Sequence, residues 1–281
     1  MTISRPAILC FACLTLSCLA SADDTPPKPQ FSVGIKVWNS SWSSYLQGTY
    51  AVATPAGKYA LADAVDQVEG ERRTATFPVL GMRYRDIAIS ASYAQYASDF
   101  RADHSSVLAP NGMSIATSRT DHIARKESDL TAAYFLTPNI GVSVGYKYAE
   151  ETRDTTLGIT GTSAPLFNVK GKGIVFGALA NFPIQGGLRF YGQLGYGPTR
   201  LTTTPTDATV GTLNISGQYL VSEIGLNYAL AIVDPYVKGA YASIGYRSQV
   251  QKTHSIGLAY MDGRDYRDTK DGLVLSLTVA L

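Results

Sequence analysis

Two of the three histidines directly follow an aspartate, and both pairs lie in one polar part of the chain, as Asp103-His104 and Asp121-His122. A carboxylate beside an imidazole is an arrangement that general bases use. Adjacency in a loop, however, does not set the geometry that a base and a nucleophile need. We therefore expect solvated loop residues here, and the sequence predicts no catalytic residue and no enzyme activity.

A second polar pattern lies near the C-terminus, where an aspartate recurs at every third residue with cations between. Aspartate clusters can bind calcium, but each carboxylate here has a nearby cation, so self-neutralised charge is the expectation. The few histidines give no ligand spacing typical of zinc. We predict no metal and no cofactor. The pattern comprises Asp262, Asp265, Asp268 and Asp271, with Arg264, Arg267 and Lys270.

The composition limits what could position such groups. Of 281 residues, 45% are apolar and 16% are charged, and the net charge is +2. Disordered chains combine low hydrophobicity with high net charge, so disorder is excluded. A nucleic-acid binder would carry a basic surface, and none is evident. An all-β chain remains, either soluble or embedded in a membrane.

The N-terminus has the three parts of a secretory signal peptide. Arg5 supplies positive charge, an apolar run follows, and Ala20-Ser21-Ala22 is a small-residue cleavage site. We predict a signal peptide over 1–22 cleaved after Ala22, a periplasmic leader over 23–29, and one domain over 30–281. All three cysteines lie inside this signal. No apolar run reaches the roughly 20 residues of a transmembrane helix.

From Phe31 onwards, apolar and polar residues alternate in ten segments, the pattern of half-buried strands. Short connections, such as Arg85-Asp86, alternate with five polar ones of roughly 15 to 25 residues, and an even strand number with this rhythm is typical of membrane barrels. We predict a transmembrane antiparallel up-and-down β-barrel of about ten strands, with short periplasmic turns and long extracellular loops. A soluble sandwich or lipocalin-type barrel is the alternative. The long connections are about 52–73, 101–125, 153–170, 201–215 and 248–269.

The last strand is apolar at every second position and ends at the terminal residue. It resembles the C-terminal targeting strand of Gram-negative outer-membrane β-barrel proteins, although the final residue, usually Phe, is Leu281. The resemblance implies outer-membrane residence, recognition by the outer-membrane assembly machinery, and contact with outer-membrane lipid and lipopolysaccharide; we expect a monomer that binds no nucleic acid. The strand contains Leu273, Leu275, Leu277, Val279 and Leu281.

Hairpin registers place charged residues on the polar faces. Centring the turn between the fourth and fifth predicted strands on Pro138 puts Asp129 opposite Lys147, which predicts an interior ion pair. Similar reasoning places Asn181 opposite Arg189 and Asn227 opposite Lys238. Two hypotheses follow. Either paired and hydrogen-bonded polar side chains fill the lumen and close it, or a basic vestibule admits small anions. The predicted lumen residues are Lys36, Arg83, Asp129, Lys147, Arg189, Glu223 and Lys238.

The leading functional hypothesis is a non-enzymatic outer-membrane barrel with a structural, surface-interaction or narrow permeation role. An anion-preferring, porin-like channel, an enzyme similar to the omptin proteases and an adhesin are the alternatives. The adjacent acidic pair that omptins use with a rim histidine is not evident. Basic residues near the outer strand ends are candidate contacts for lipopolysaccharide phosphates: Arg72, Arg73, Arg119, Arg125, Lys126, Arg264 and Arg267.

Overall fold

The computed structural model describes residues 7–11, 14–18, 28–46, 51–54, 57–61, 65–206, 211–231, 236–254 and 265–281. Ten long strands follow the predicted leader. They are β1 (Gln30–Leu46), β2 (Arg73–Tyr84), β3 (Ile87–Leu108), β4 (Ser114–Thr137), β5 (Ile140–Leu157), β6 (Ser163–Gln185), β7 (Leu188–Pro205), β8 (Leu213–Leu230), β9 (Gly239–His254) and β10 (Asp265–Ala280).

Each of these strands pairs antiparallel with the next one in the chain, and β10 pairs with β1 to close the ring. Ring closure leaves no strand edge, so every strand finds backbone partners within the sheet, which a bilayer core requires. Within the described residues, the closed ring thus contains ten strands. The predicted up-and-down barrel of about ten strands is confirmed.

The strands carry apolar side chains outside and polar side chains inside. On β1, Val33 and Ile35 are exposed, whereas Ser32 and Lys36 are buried. Successive side chains of a strand point to opposite faces of the sheet, so the other strands of the ring show the same alternation of exposed apolar and buried polar residues. A soluble barrel would bury the apolar face instead, so the transmembrane interpretation agrees with the observed surface. The described residues contain no helix long and apolar enough to cross a membrane.

Exposed tyrosines form two levels on this outer face. The first level lies near the short turns and contains Tyr84, Tyr134 and Tyr228. The second lies roughly six to eight residues further along the strands, about 20 Å at the usual rise per residue. An apolar band of about 25 Å between aromatic girdles is typical of membrane barrels. The second level contains Tyr93, Tyr146, Tyr196 and Tyr246.

The short turns between β2 and β3 and between β4 and β5 occur where they were predicted, but two predicted registers differ, those of the β6–β7 and β8–β9 pairs. The turn between β6 and β7 is Gly186-Gly187, and both glycines have a positive φ, of 58° and 83°. Such φ values suit a two-residue hairpin turn. The shift pairs Asn181 with Tyr191 instead of the predicted Arg189.

The long connections are mostly strand. β3 and β4 remain paired up to Leu108 and Ser114, so most of the predicted loop 101–125 is a β-hairpin, and the same holds for 153–170. Beyond the second tyrosine level the outer face becomes polar, while the interior holds an apolar cluster around Phe167 and Leu166. Shorter strands at this end are Ala51–Thr54, Gly57–Leu61 and Val65–Glu69. We call it the hairpin end, and the other the short-turn end.

Two further strands, Ala7–Phe11 and Leu14–Cys18, pair with each other in a separate sheet. They lie inside the segment predicted to be the signal peptide. Its cleavage remains a prediction, as do the domain bounds.

Candidate functional site: the barrel interior

The carboxylate of Glu127, on β4, is the centre of a buried polar network. It accepts hydrogen bonds from Tyr96 on β3 at 2.6 Å, Lys147 on β5 at 3.1 Å and Lys270 on β10 at 3.0 Å. Gln249 on β9 donates a further bond at 3.2 Å. Side chains from four other strands therefore converge on one carboxylate, and because β9 and β10 lie opposite β4 in the ring, the network crosses the lumen.

Arg125 extends this network toward the hairpin end. Its guanidinium lies 2.5 Å from both Glu127 and Glu151, and 3.7 Å from Asp268. Arg153 also pairs with Glu151, at 3.1 Å. Buried charges are tolerated when they are paired and hydrogen-bonded, and here each cation shares its carboxylate with another.

A second carboxylate, Glu223 on β8, lies in the same lumen. It pairs with Lys36 on β1 at 2.5 Å and with Arg247 on β9 at 3.1 Å. Tyr191 on β7 donates a hydrogen bond to it at 3.1 Å. Because β1 and β8 are separated by two other strands in the ring, this group also bridges the interior.

A cavity of about 80 Å³ adjoins both groups. A water molecule needs roughly 10–15 Å³ of such space, so the cavity has room for about five water molecules. Its wall is mixed. The apolar side chains of Phe77, Val79 and Val221 line it together with polar ones, which include Lys36, Ser92, Lys147, Gln193, Tyr219 and Arg247.

The predicted ion pair between Asp129 and Lys147 is confirmed, with 3.0 Å between Oδ1 and Nζ. Lys36, Arg83, Arg189 and Glu223 are also interior and buried, as predicted. Arg83 lies near the short turns, where its Nε donates to the carbonyl of Arg85 at 2.8 Å.

Lys238 is a correction. It is exposed, precedes β9, and donates from Nζ to the Leu281 carbonyl at 3.0 Å. The β8–β9 connection is longer than a two-residue turn, so Asn227 pairs with Ser243 instead of Lys238.

Arg119 and Arg125 are a second correction, because the structure places them inside the barrel, where they cannot contact lipopolysaccharide. Both are essentially fully buried. Arg119 makes a two-pronged bond to Asp121, with 2.7 Å for each contact, and Asp121 also accepts from Thr155. The predicted loop is strand here, so alternation turns every second residue inward.

The other candidate lipopolysaccharide contacts lie on the outer face or outside the described residues. Arg72, Arg73, Lys126 and Arg267 are exposed. Arg73 pairs with Glu71 and lies 3.7 Å from Asp99. Arg264 lies outside the described residues.

His122 does not pair with its neighbour Asp121, because the two lie on opposite faces of β4. Its Nδ1 lies 2.6 Å from Oδ1 of Asp99 on β3 instead, and both side chains are exposed. The pair lies on the outer wall, close to Arg73. This arrangement brings a histidine and a carboxylate together, but on the outer face of β3 and β4 and not in the lumen.

The three-residue aspartate rhythm does not gather its carboxylates. Asp268 is buried and accepts from Trp42 Nε1 at 3.0 Å, whereas Asp271 is on the outer face, where it accepts from Tyr246. A three-residue period alternates between the faces of a strand. No group that could hold a metal occurs among the described residues, and Asp262 lies outside them.

Sequence reasoning missed Lys270, Arg247 and the central position of Glu127. Each lies on the polar face of its strand, so its inward orientation could have been predicted from the alternation of apolar and polar residues. The convergence depends on which strands face one another across the ring, and alternation does not supply that.

The final segment forms a strand, as predicted, and Leu273, Leu275 and Leu277 are exposed on the outer face of β10. Val279 pairs with Val33 of β1. The Leu281 amide donates to the Phe31 carbonyl at 2.9 Å, so the C-terminus is fastened to the first strand.

No protein-family model and no curated protein matches the sequence. Solved structures do match. The outer membrane protease OmpT from Escherichia coli has 10% identity and a TM-score of 0.45, covering 92% of this chain and 99% of that one. The Pseudomonas putida toluene transporter TodX has 8% identity and a TM-score of 0.33, covering 91% and 90%. Neisserial surface protein A has 12% identity and a TM-score of 0.33, covering 89% and 96%.

The chain resembles Gram-negative outer-membrane β-barrels in its fold. The features that carry this resemblance are its own closed antiparallel ring and outward apolar face. The names of the matched structures describe different roles: a protease, a toluene transporter and a surface protein.

Proposed function

We propose that this chain is a non-enzymatic integral outer-membrane protein with a closed interior, which acts through the polar surface of its hairpin end. The short turns then face the periplasm and the hairpins face outward. The observation that supports the proposal is the convergence of side chains from four other strands on Glu127.

Energetics support a permanent closure. Removing one partner from a buried ion pair typically costs about 3–5 kcal/mol, because the other charge is left without compensation. Opening a pathway past Glu127 would separate it from Lys147, Lys270 or Arg125. The network therefore opposes opening and fixes the relative positions of opposite strands.

Reconstitution of the full chain in planar bilayers tests the proposal. We expect no steady single-channel current at moderate voltage and salt. A stable open conductance of the unaltered protein would overturn the closed-interior proposal.

A narrow anion pathway is the second candidate, and charge favours it. The buried side chains include nine cations and five carboxylates, so the described interior carries excess positive charge. Excess charge of one sign favours counter-ions in a narrow lumen. This candidate requires a current that falls when Arg83 and Arg189 are replaced by glutamine.

Enzyme and adhesin roles remain further candidates. Against an omptin-like enzyme, His122 and Asp99 lie on the outer wall, and Arg73 approaches the same carboxylate. An adhesin would use the hairpin end. Cell-binding assays with shortened hairpins, such as removal of 105–117, would detect such a role.

A further inference from the structure

Two cations face each other directly on the outer wall of the barrel. Lys172 on β6 and Arg200 on β7 are register partners, and both are exposed. Directly opposed side chains on neighbouring strands have Cβ atoms about 4.5–5.5 Å apart, and like charges in this position are destabilising. A sequence retains such a pair more readily if an anion is bound between them.

Nearby carboxylates do not supply that anion. Glu150 on β5 lies 3.5 Å from Lys170, and it is also the register partner of Lys126. Within the described residues, neither Lys172 nor Arg200 has an ion-pair partner. The patch of Lys126, Lys170, Lys172 and Arg200 therefore shares one carboxylate and keeps a net positive charge.

The pair lies at the edge of the apolar band. Ile174 and Phe176 follow Lys172 on the outer face of β6, toward the short-turn end, as exposed apolar side chains. On β7, Arg200 lies four residues beyond Tyr196, which belongs to the second tyrosine level. Aromatic girdles lie at headgroup level, so the two cations lie just beyond the hydrocarbon boundary.

We propose that Lys172 and Arg200 bind the phosphate of a phosphorylated lipid headgroup in the leaflet at the hairpin end. The planar guanidinium of Arg200 suits two-pronged recognition of phosphate oxygens, and the ammonium of Lys172 supplies a second charge. An acyl chain of the same lipid would lie along Ile174 and Phe176. The inference rests on the proposed outer-membrane residence, and it names a site apart from Arg72 and Arg73.

Native mass spectrometry of the full chain in detergent micelles tests the site, with three probes: bis-phosphorylated lipid A, dephosphorylated lipid A and inorganic phosphate. For the double variant Lys172→Gln/Arg200→Gln, we expect affinity for the phosphorylated lipid to fall about tenfold or more, since two charge-assisted contacts are lost. Binding of the dephosphorylated lipid should be unchanged. Equal affinities of the two lipids for the unaltered protein would overturn the proposal, and so would retention of inorganic phosphate as strong as that of lipid.

A charge-matched control uses two cations that lie further from the apolar band and do not oppose each other. Lys252 on β9 lies six residues beyond Tyr246, and Arg101 on β3 lies eight residues beyond Tyr93. We expect Lys252→Gln/Arg101→Gln to change lipid affinity less than twofold. Equal weakening by both double variants would show general charge attraction and overturn the specific site.

Thermal midpoints of both variants establish that each is folded. Replacing like charges should leave the midpoint unchanged or raise it. The conductance test of the closed interior is independent of this site, so failure of lipid binding leaves that proposal standing.

Discussion

Lys36 and Glu223 join the first and eighth strands across the lumen, with 2.5 Å between Nζ and Oε2. The strands that carry them do not touch in the ring, where β10 and β9 lie between. The contact therefore adds a tie across the barrel to the backbone hydrogen bonds that run around it.

Replacing Glu223 with alanine should destabilise the barrel strongly. The change leaves Lys36 and Arg247 buried without their shared carboxylate, which typically costs about 3–5 kcal/mol. The measurement is the free energy of unfolding in urea with the protein in lipid vesicles. The control, Glu71→Gln, removes an exposed partner of Arg73 and should cost less than about 1 kcal/mol. Equal losses for the two variants would contradict the bridging role.

Removing the central carboxylate should make the interior leak. In Glu127→Ala, the cations Arg125, Lys147 and Lys270 face one another without their common partner, and their repulsion favours hydration of the lumen. We expect brief channel openings in planar bilayers that are absent from the unaltered protein. Glu150→Ala removes a carboxylate from the outer wall and should remain silent. A folded Glu127→Ala protein without openings would show that other side chains close the lumen.

The position of the membrane band can be tested on one strand. Ile224 on β8 is exposed on the outer face between the tyrosine levels. Lysine at the bilayer midplane of a barrel typically costs about 2–4 kcal/mol, and close to zero near the interface. Ile224→Lys should therefore lower the unfolding free energy in vesicles by about that amount. Asn214→Lys, on the same face but ten residues earlier in the chain and beyond the tyrosine level, faces Thr202 and should have little effect. A comparable loss there would move the band.

The strand pattern could be predicted because each strand has one face toward lipid and one toward a polar lumen. Leu275 and Ser276 differ in exposure for that reason alone. The length of the strands could not be predicted from the sequence. Beyond the second tyrosine level both faces of the wall must suit water or a small apolar core, so the outward residues of β3 and β4 turn polar and resemble a loop sequence.

The interior was predicted pair by pair but not as a network. Asp129 and Lys147 are neighbours across one hairpin, so turn geometry fixes their register. Glu127 and Lys270 meet although 143 residues separate them. Their contact depends on ring closure and on the inclination of the strands. Arg119 and Arg125 were assigned to the outer surface for the related reason that their segment was not recognised as strand.

The histidine pair should be dispensable for stability and chemistry. His122 and Asp99 are both exposed, and exposed ion pairs typically contribute about 0–1 kcal/mol. His122→Ala should change the unfolding free energy by less than about 1 kcal/mol. Neither form should hydrolyse a mixed fluorogenic peptide or ester library. Hydrolysis by the unaltered protein that disappears in His122→Ala would overturn the non-enzymatic proposal.

Close packing of Tyr191 over the neighbouring strands should make Gly245 intolerant of a side chain. A Cβ at Gly245 would lie 2.6 Å from the Ile224 carbonyl oxygen and would also collide with the Tyr191 hydroxyl, which donates to Glu223. Overpacking typically costs about 1–3 kcal/mol. Gly245→Ala should therefore lower the unfolding free energy in vesicles by that amount. At Gly211 an added Cβ would meet open space, so Gly211→Ala should change the unfolding free energy by less than about 0.5 kcal/mol.

Because Tyr191 bonds to the carboxylate that ties β1 to β8, Gly245→Ala combined with Glu223→Ala should cost less than the sum of the two single changes. Strict additivity would show that Tyr191 and Glu223 act independently.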